Sequence, residues 1–127
     1  MQQGTTICAI ATPPGIGGIA VIRISGKDTL EIMGKVFSKA LTAKESHTAH
    51  FGLIKDENEV IDEVVSTVFK GPNSFTGEDV VEISCHGSAY IQNKIIQVLL
   101  KNGASMAGPG EFTQRAFLNG KLDLSQA

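Results

Sequence analysis

The chain has 127 residues, of which 42% are hydrophobic and 19% are charged. This length and composition are those of one globular domain with its own core, and they exclude a disordered, collagen-like or coiled-coil protein. The formal net charge of −2 argues against a chain that grips nucleic acid by itself, because such binding depends on clustered Lys and Arg.

The sequence shows no signal for a membrane or for export. Apolar runs such as residues 19–22 are far shorter than the roughly 18 residues that cross a bilayer, and no basic-then-apolar start marks a signal peptide. We therefore expect a cytoplasmic protein. Cys8 and Cys85 lie in apolar stretches, and we expect two reduced core thiols rather than a disulfide.

The first half of the chain predicts strands and one helix. Thr6 to Ala11 and Ile19 to Ser25 are apolar and rich in β-branched residues, so they predict two strands joined by a Pro- and Gly-rich loop. Asp28 can cap a helix whose apolar residues recur at helical spacing. Residues 50–54 and 63–70 predict an antiparallel pair around a polar turn.

The second half predicts a further strand and two helices. A loop at residues 71–77 leads into a strand from Asp79 to His86, and Ser88 caps a helix that stops at residues 101–103. A short extended piece at residues 104–107 precedes a helix from Glu111 to Leu118. Since no repeated βα pattern is present, we predict an α+β fold with a mixed or antiparallel sheet and helices packed on it.

Several catalytic and nucleotide-binding patterns can be excluded. Residues 15–20 match the spacing G-x-G-x-x-A, but a strand rather than the required helix follows. None of the Gly-Lys pairs, which begin at Gly26, Gly34 and Gly120, is followed by Ser or Thr, so the phosphate loop of nucleotide hydrolases is absent. Cys85 and His86 are adjacent on a strand and cannot readily share a metal. Ser84 and His86 share a face without a third triad member, which favours a structural histidine.

Arg23 and Glu82 are the most informative polar residues. Each lies on a largely apolar strand, where a charge needs a partner. The two could neutralise each other. Alternatively, each could meet a ligand such as a pterin, because a carboxylate accepts two N–H bonds from an amino-pyrimidine edge and a guanidinium binds carbonyl or carboxylate groups.

The surroundings of three other side chains can also be predicted. Lys121 follows the turn formed by Asn119 and Gly120, which could aim its ammonium at a pocket. Phe75 could anchor its loop or offer a stacking surface. Arg115 is expected to face solvent or an acidic neighbour.

Three segments are too particular to be generic: residues 11–26 (ATPPG through RISG), 71–79 (GPNSFTGED) and 109–124 (PGEFT through KLDL). In order and spacing they resemble the N-terminal domain of the MnmE (TrmE) family of tRNA modification GTPases. The resemblance implies an α+β domain similar to the folate-binding part of glycine-cleavage T-protein. It assigns residues 1–120 to folate binding and homodimerisation, and residues 121–127 to the start of a helical domain.

The family resemblance also implies ligands, partners and a function. It places the contacts to a one-carbon tetrahydrofolate, either 5-formyl- or 5,10-methylene-tetrahydrofolate, at Arg23, Glu82 and Lys121. The full-length protein would use GTP, Mg²⁺ and K⁺. With the flavoprotein MnmG, in a heterotetramer, it would add a carboxymethylaminomethyl group at carbon 5 of the wobble uridine of certain tRNAs. The alternative is a dimerisation scaffold without ligand binding, in which Arg23 and Glu82 form an internal pair.

Two positions depart from the family pattern. Gly108 stands where the family usually has Arg, which removes a cation near the expected binding site. Ser88 replaces the second glycine of a common His-Gly-Gly, which supplies a helix cap.

Overall fold

A computed structural model describes residues 4–12 and 17–121 as an α+β fold. Residues 13–16 of the predicted first loop and residues 122–127 of the expected helical domain lie outside the described residues. Six strands form one sheet, in the order β3-β4-β5-β2-β1-β6. The elements are β1 (Ile7–Ile10), β2 (Ile19–Ser25), α1 (Thr29–Val36), β3 (Thr48–Asp56), β4 (Glu59–Phe69), β5 (Val80–His86), α2 (Ala89–Lys101), β6 (Ser105–Met106) and α3 (Glu111–Leu118).

The sheet is mixed, as the sequence predicts. β6 pairs with β1 in parallel, whereas the other neighbouring strands are antiparallel. The predicted hairpin is present and longer than expected, with a register shift between Ile54 and Lys55. The extended piece after α2 is β6, and the segment after the first loop is strand β2, which confirms the argument against a dinucleotide-binding helix.

The core lies on one face of the sheet. Ile22 and Ile24 of β2 and Ile83 of β5 are fully buried, because alternate side chains of each strand point to this face. Helix α2 covers them with an apolar stripe that includes Ile95 and Leu99. Burial of this kind contributes roughly 25 cal/mol for each Å² of apolar surface, so this face supplies most of the stability.

The opposite face of the sheet is only partly covered. Its residues form rows across the strands, and one row joins Phe51, Val65, Ser84 and Val21. Phe51 is 57% exposed and Ile19, at the end of β2, is 70% exposed. Large apolar side chains on an open sheet face are typical of an interaction surface.

Both cysteines are free and buried, as expected. Burial raises the pKa of the Cys8 thiol to about 11. Burial, with the nearby Asp62 carboxylate, also raises the pKa of the Cys85 thiol to about 11. Both thiols are therefore protonated at neutral pH and poor nucleophiles.

None of the described helices is both long and apolar enough to cross a membrane.

The two predicted helix caps behave differently. The Ser88 side chain accepts a hydrogen bond of 3.0 Å from the Ile91 backbone N–H, which confirms the prediction for α2. Asp28 occupies the N-cap position of α1, but its side chain makes no capping bond. The backbone N–H of Asp28 instead donates to the Thr6 hydroxyl at 2.9 Å.

This difference predicts the result of a matched pair of substitutions. Ser88→Ala removes a hydrogen bond that satisfies a helix N–H, so we expect a loss of about 1 kcal/mol in unfolding free energy. Asp28→Ala removes no capping bond and should change that free energy by a few tenths of a kcal/mol at most. Urea unfolding followed by circular dichroism measures both. Equal losses would contradict the assignment of the caps.

Candidate ligand-binding site

Arg23 and Glu82 lie directly opposite each other on β2 and β5. The Arg23 Nε–H and Nη2–H groups donate to the same oxygen, Glu82 Oε2, at 3.0 and 2.8 Å. The side chains are 25% and 30% exposed. Of the two alternatives, this structure shows the internal ion pair. Both bonds end on Oε2, so the pairing engages one of the two carboxylate oxygens.

Two aromatic rings lie close to the Arg23 guanidinium. Its Cζ atom lies 5.2 Å from the centroid of Phe75 and 5.5 Å from that of Phe112. These distances are within the range of cation–π attraction. Phe75 is therefore a stacking surface for Arg23, and it keeps 45% of its surface exposed. The sequence offered no sign that Phe112 would be its counterpart.

A cavity of about 480 Å³ opens beside this cluster. Its wall is formed by three parts of the chain: the end of β1 with Arg23, the loop carrying Phe75, and the segment that begins α3. Twelve residues line it: Ala9, Ile10, Ala11, Arg23, Phe75, Ala107, Gly108, Pro109, Gly110, Glu111, Phe112 and Thr113. This volume is typical of sites for small organic ligands.

Gly108, one of the departures from the family pattern, lies in the wall of this cavity. A Cβ atom built there would lie 3.7 Å from Glu111 Oε1, which is an ordinary contact. The position therefore has room for a side chain, although the cation expected from the family is missing.

Lys121 is placed away from this cavity wall. Its ammonium donates a 3.0 Å hydrogen bond to the Pro72 carbonyl at an exposed position. The structure thus brings Arg23 and Glu82 together and ties Lys121 to the other end of the loop that carries Phe75. A ligand contact by Lys121 stays a prediction, and it requires the side chain to leave Pro72.

His86 has the structural role that the sequence favoured. Its Nδ1 lies 2.7 Å from Asp62 Oδ1, and its backbone N–H donates to Asp62 Oδ2 at 2.8 Å. The pair joins the ends of β4 and β5. Within residues 4–12 and 17–121, no group of three His, Cys, Asp or Glu side chains could hold a metal ion.

Arg115 takes the second of its two expected positions, beside acidic neighbours rather than in solvent. Its side chain is only 3% exposed, a depth of burial that the sequence did not indicate. Its guanidinium contacts Glu78 at 3.1 Å and Glu111 at 3.0 Å. The spacing of four residues from Glu111 to Arg115 was the available signal, but it is common on exposed helices as well.

Comparison with known proteins identifies relatives of this chain. Residues 6–121 match the family described as "GTP-binding protein TrmE N-terminus". A tRNA modification GTPase MnmE from Flavobacterium johnsoniae is 60% identical over 131 aligned residues, which cover 100% of this chain and 28% of the relative. Proteins of the same name from Parabacteroides distasonis and Listeria welshimeri are each 56% identical, covering 97% and 96% of this chain.

The chain spans 28%, 28% and 27% of the length of these three relatives. Its matched region includes both the Arg23–Glu82 pair and the wall of the adjacent cavity. The chain therefore belongs to the family of the TrmE N-terminus.

Proposed function

We propose that this chain binds a one-carbon derivative of tetrahydrofolate, such as 5-formyl- or 5,10-methylene-tetrahydrofolate, in the cavity beside Arg23. The observation that carries the proposal is a guanidinium in cation–π contact with two phenyl rings at the wall of a cavity of about 480 Å³. A flat heterocycle with hydrogen-bonding edges fits a site that combines aromatic faces with a charged pair.

The charges of the site match the chemistry of such a ligand. The amino-pyrimidine edge of a pterin presents two N–H donors to a carboxylate, and Glu82 has Oε1 outside its bonds to Arg23. The ring carbonyl and the glutamate carboxylate of a folate are acceptors for Arg23, and the four-carbon stem of Lys121 would let its ammonium reach them as a second cation. The bound folate would supply the one-carbon unit, while the chain's own residues bind and orient it.

Binding must compete with the Arg23–Glu82 ion pair. Both side chains are partly exposed. Each can therefore give up its contact with the other and bind ligand atoms instead, without a large desolvation cost. A pair of this kind keeps both charges satisfied before the ligand arrives.

The open face of the sheet supports a homodimer. Phe51, Val65 and Ile19 present apolar surface there, next to the polar row that contains Arg23 and Glu82. Covering this face with a second copy would bury the apolar residues and place two ligand sites near the contact. The dimer would thus shield the charged pair from water.

The function of a longer protein follows from the family. The relatives are named tRNA modification GTPases, so we assign the whole protein to GTP hydrolysis coupled to tRNA modification in the cytoplasm. It would act with the flavoprotein MnmG to add a carboxymethylaminomethyl group at carbon 5 of the wobble uridine. The described residues offer no metal cluster and the sequence has no phosphate loop. GTP, Mg²⁺ and K⁺ would therefore be bound by other parts of the protein.

Isothermal titration with 5-formyltetrahydrofolate tests the proposal. Arg23→Ala and Glu82→Ala each leave one charge without its partner and remove one ligand contact, so we expect each to weaken binding by about 2 kcal/mol or more, roughly thirtyfold. Lys94→Ala and Glu59→Ala are the matched controls, because these two residues form a long, exposed ion pair at 3.8 Å.

The controls should bind as the unsubstituted chain does. Wild-type affinity in both the Arg23 and Glu82 variants would remove these residues from the site. If the unsubstituted chain dimerises but takes up no folate, the scaffold alternative is correct.

A further inference from the structure

We propose that Arg115 is a positioning residue that holds Phe75 and Phe112 close to the Arg23 guanidinium, although it does not itself line the 480 Å³ cavity. The effect on the ring geometry stands on the structure alone, and the effect on ligand affinity rests on the proposed function. Three observations support the inference: the contacts of the Arg115 guanidinium, the elements that those contacts join, and the balance of charge around them.

The contacts of Arg115 reach three separate parts of the chain. Nη1 donates to the Thr5 carbonyl at 2.6 Å and to both Glu78 carboxylate oxygens at 3.2 and 3.1 Å. Nη2 donates to Thr5 Oγ1 and to Glu111 Oε2, each at 3.0 Å. The planar fork of a guanidinium can satisfy these partners together, which a single ammonium cannot do.

The two carboxylates belong to the elements that carry the two rings. Glu78 ends the loop that contains Phe75, and its Oε1 also accepts a 2.9 Å bond from the Ser25 hydroxyl of β2. Glu111 is the first residue of α3 and precedes Phe112 directly. Its Oε1 accepts the Gly108 backbone N–H at 2.8 Å, which fixes the cavity wall at the start of α3.

The balance of charge makes the positions of Phe75 and Phe112 depend on Arg115. One cation faces two anions, and the Arg115 and Glu111 side chains are nearly inaccessible to water. Without the guanidinium, a carboxylate on each ring-bearing element would lose its counter-charge and the two would repel each other. Buried like charges are costly, so the structure would relieve the repulsion by moving the loop away from α3. That movement would separate the two rings around Arg23.

Nuclear magnetic resonance can observe this geometry without a ligand. The chain contains two arginines, Arg23 and Arg115, so labelling with ¹⁵Nε-arginine gives two side-chain signals. The signal that persists in Arg115→Met belongs to Arg23. In the unsubstituted chain we expect nuclear Overhauser cross-peaks between the Arg23 Nε–H and the ring protons of Phe75 and Phe112, and in folded Arg115→Met we expect them to be lost.

Two further variants separate positioning from general stability. Ile95→Val loosens the core under α2 and should lower the melting temperature while keeping both cross-peaks. Adding Glu78→Gln to Arg115→Met removes one of the two repelling charges, so we expect the cross-peaks to return in part. Wild-type cross-peaks in folded Arg115→Met, or no recovery in the double variant, would overturn the inference.

Arg115→Lys covers the case in which Arg115→Met does not fold. It retains one charge, but a single nitrogen with three N–H donors cannot reproduce the five contacts that Nη1 and Nη2 make, so we expect weaker cross-peaks to at least one ring. Cross-peaks of wild-type strength to both rings in this variant would overturn the inference equally.

The effect of Arg115 on ligand affinity is measured separately, by titration with 5-formyltetrahydrofolate. A displaced ring pair should weaken binding about tenfold in the folded Arg115 variant, because small misplacements of a contact group cost affinity. Lost cross-peaks with tenfold weaker binding would support both parts. If the cross-peaks are lost and the unsubstituted chain binds no folate, Arg115 still positions the rings and the proposed function alone fails.

Discussion

Gly26→Ala is expected to lower the unfolding free energy by about 3 kcal/mol. Gly26 has φ of +148°, a backbone conformation that residues with a side chain rarely adopt. A Cβ atom there would lie 2.5 Å from both Cα and Oγ1 of Thr6. The Cα belongs to the backbone that leads into β1, so the clash cannot be relieved by rotating a side chain.

The same glycine ties together several parts of the fold. Its N–H donates to the Asp79 carbonyl at 3.1 Å, and its carbonyl accepts the Thr29 hydroxyl at 3.0 Å. A shift at Gly26 would therefore disturb the end of β2, the start of α1 and the end of the loop that carries Phe75. Differential scanning calorimetry should show a melting temperature lower by roughly 10 °C.

Gly34→Ala is the matched control. Gly34 lies within α1, and a Cβ atom there meets nothing within 4 Å. Because alanine favours a helix more than glycine does, we expect this substitution to raise stability by about 0.5–1 kcal/mol. Opposite signs for the two Gly→Ala changes would support the packing argument. A loss of similar size in both would contradict it.

Val65→Glu is expected to abolish the proposed homodimer. Val65 lies in the row of the open sheet face between Phe51 and Ser84, and it is 37% exposed. A carboxylate buried there in a dimer would lack a partner, so the dissociation constant should rise about a hundredfold or more. Because the side chain points away from the core, the monomer should keep its stability.

Val60→Glu makes the same chemical change at a valine that is 49% exposed near the tip of the β3–β4 hairpin. This control should leave the dimer intact. Sedimentation velocity over a range of concentrations distinguishes the two variants. A Val65→Glu chain that dimerises as strongly as the control would show that the open face is not the contact.

The features of the fold that could be predicted are those that local sequence patterns determine. The alternation of apolar residues in β2 and β5 predicts which face each side chain takes, and this places Arg23 and Glu82 correctly on the face opposite Ile22 and Ile83. Arg23 and Glu82 are 59 positions apart in the sequence, and their direct pairing depends on the register between β2 and β5. A shift of one residue would reverse every side chain, and no local pattern specifies that register.

Helix α3 shows why the rest of the site could not be predicted. Its periodicity suggested an ordinary amphipathic helix, yet Arg115 is buried whereas Phe117 and Leu118 are exposed. The burial of Arg115 arises from Thr5 and Glu78, which lie far away in the sequence. Likewise, the turn before Lys121 was recognisable, but the direction of its side chain depends on where the loop at Pro72 folds.

The bond between the Arg115 Nη1 and the Thr5 carbonyl spans 110 positions of the chain. Contacts so distant in sequence form slowly, because the entropy of closing a long loop must be overcome first. During synthesis on the ribosome, the cavity beside Arg23 would stay incomplete until α3 had emerged and Arg115 had bonded to Thr5. Recognition of the proposed ligand would therefore require that the chain from Thr5 to Arg115 has been synthesised and has folded.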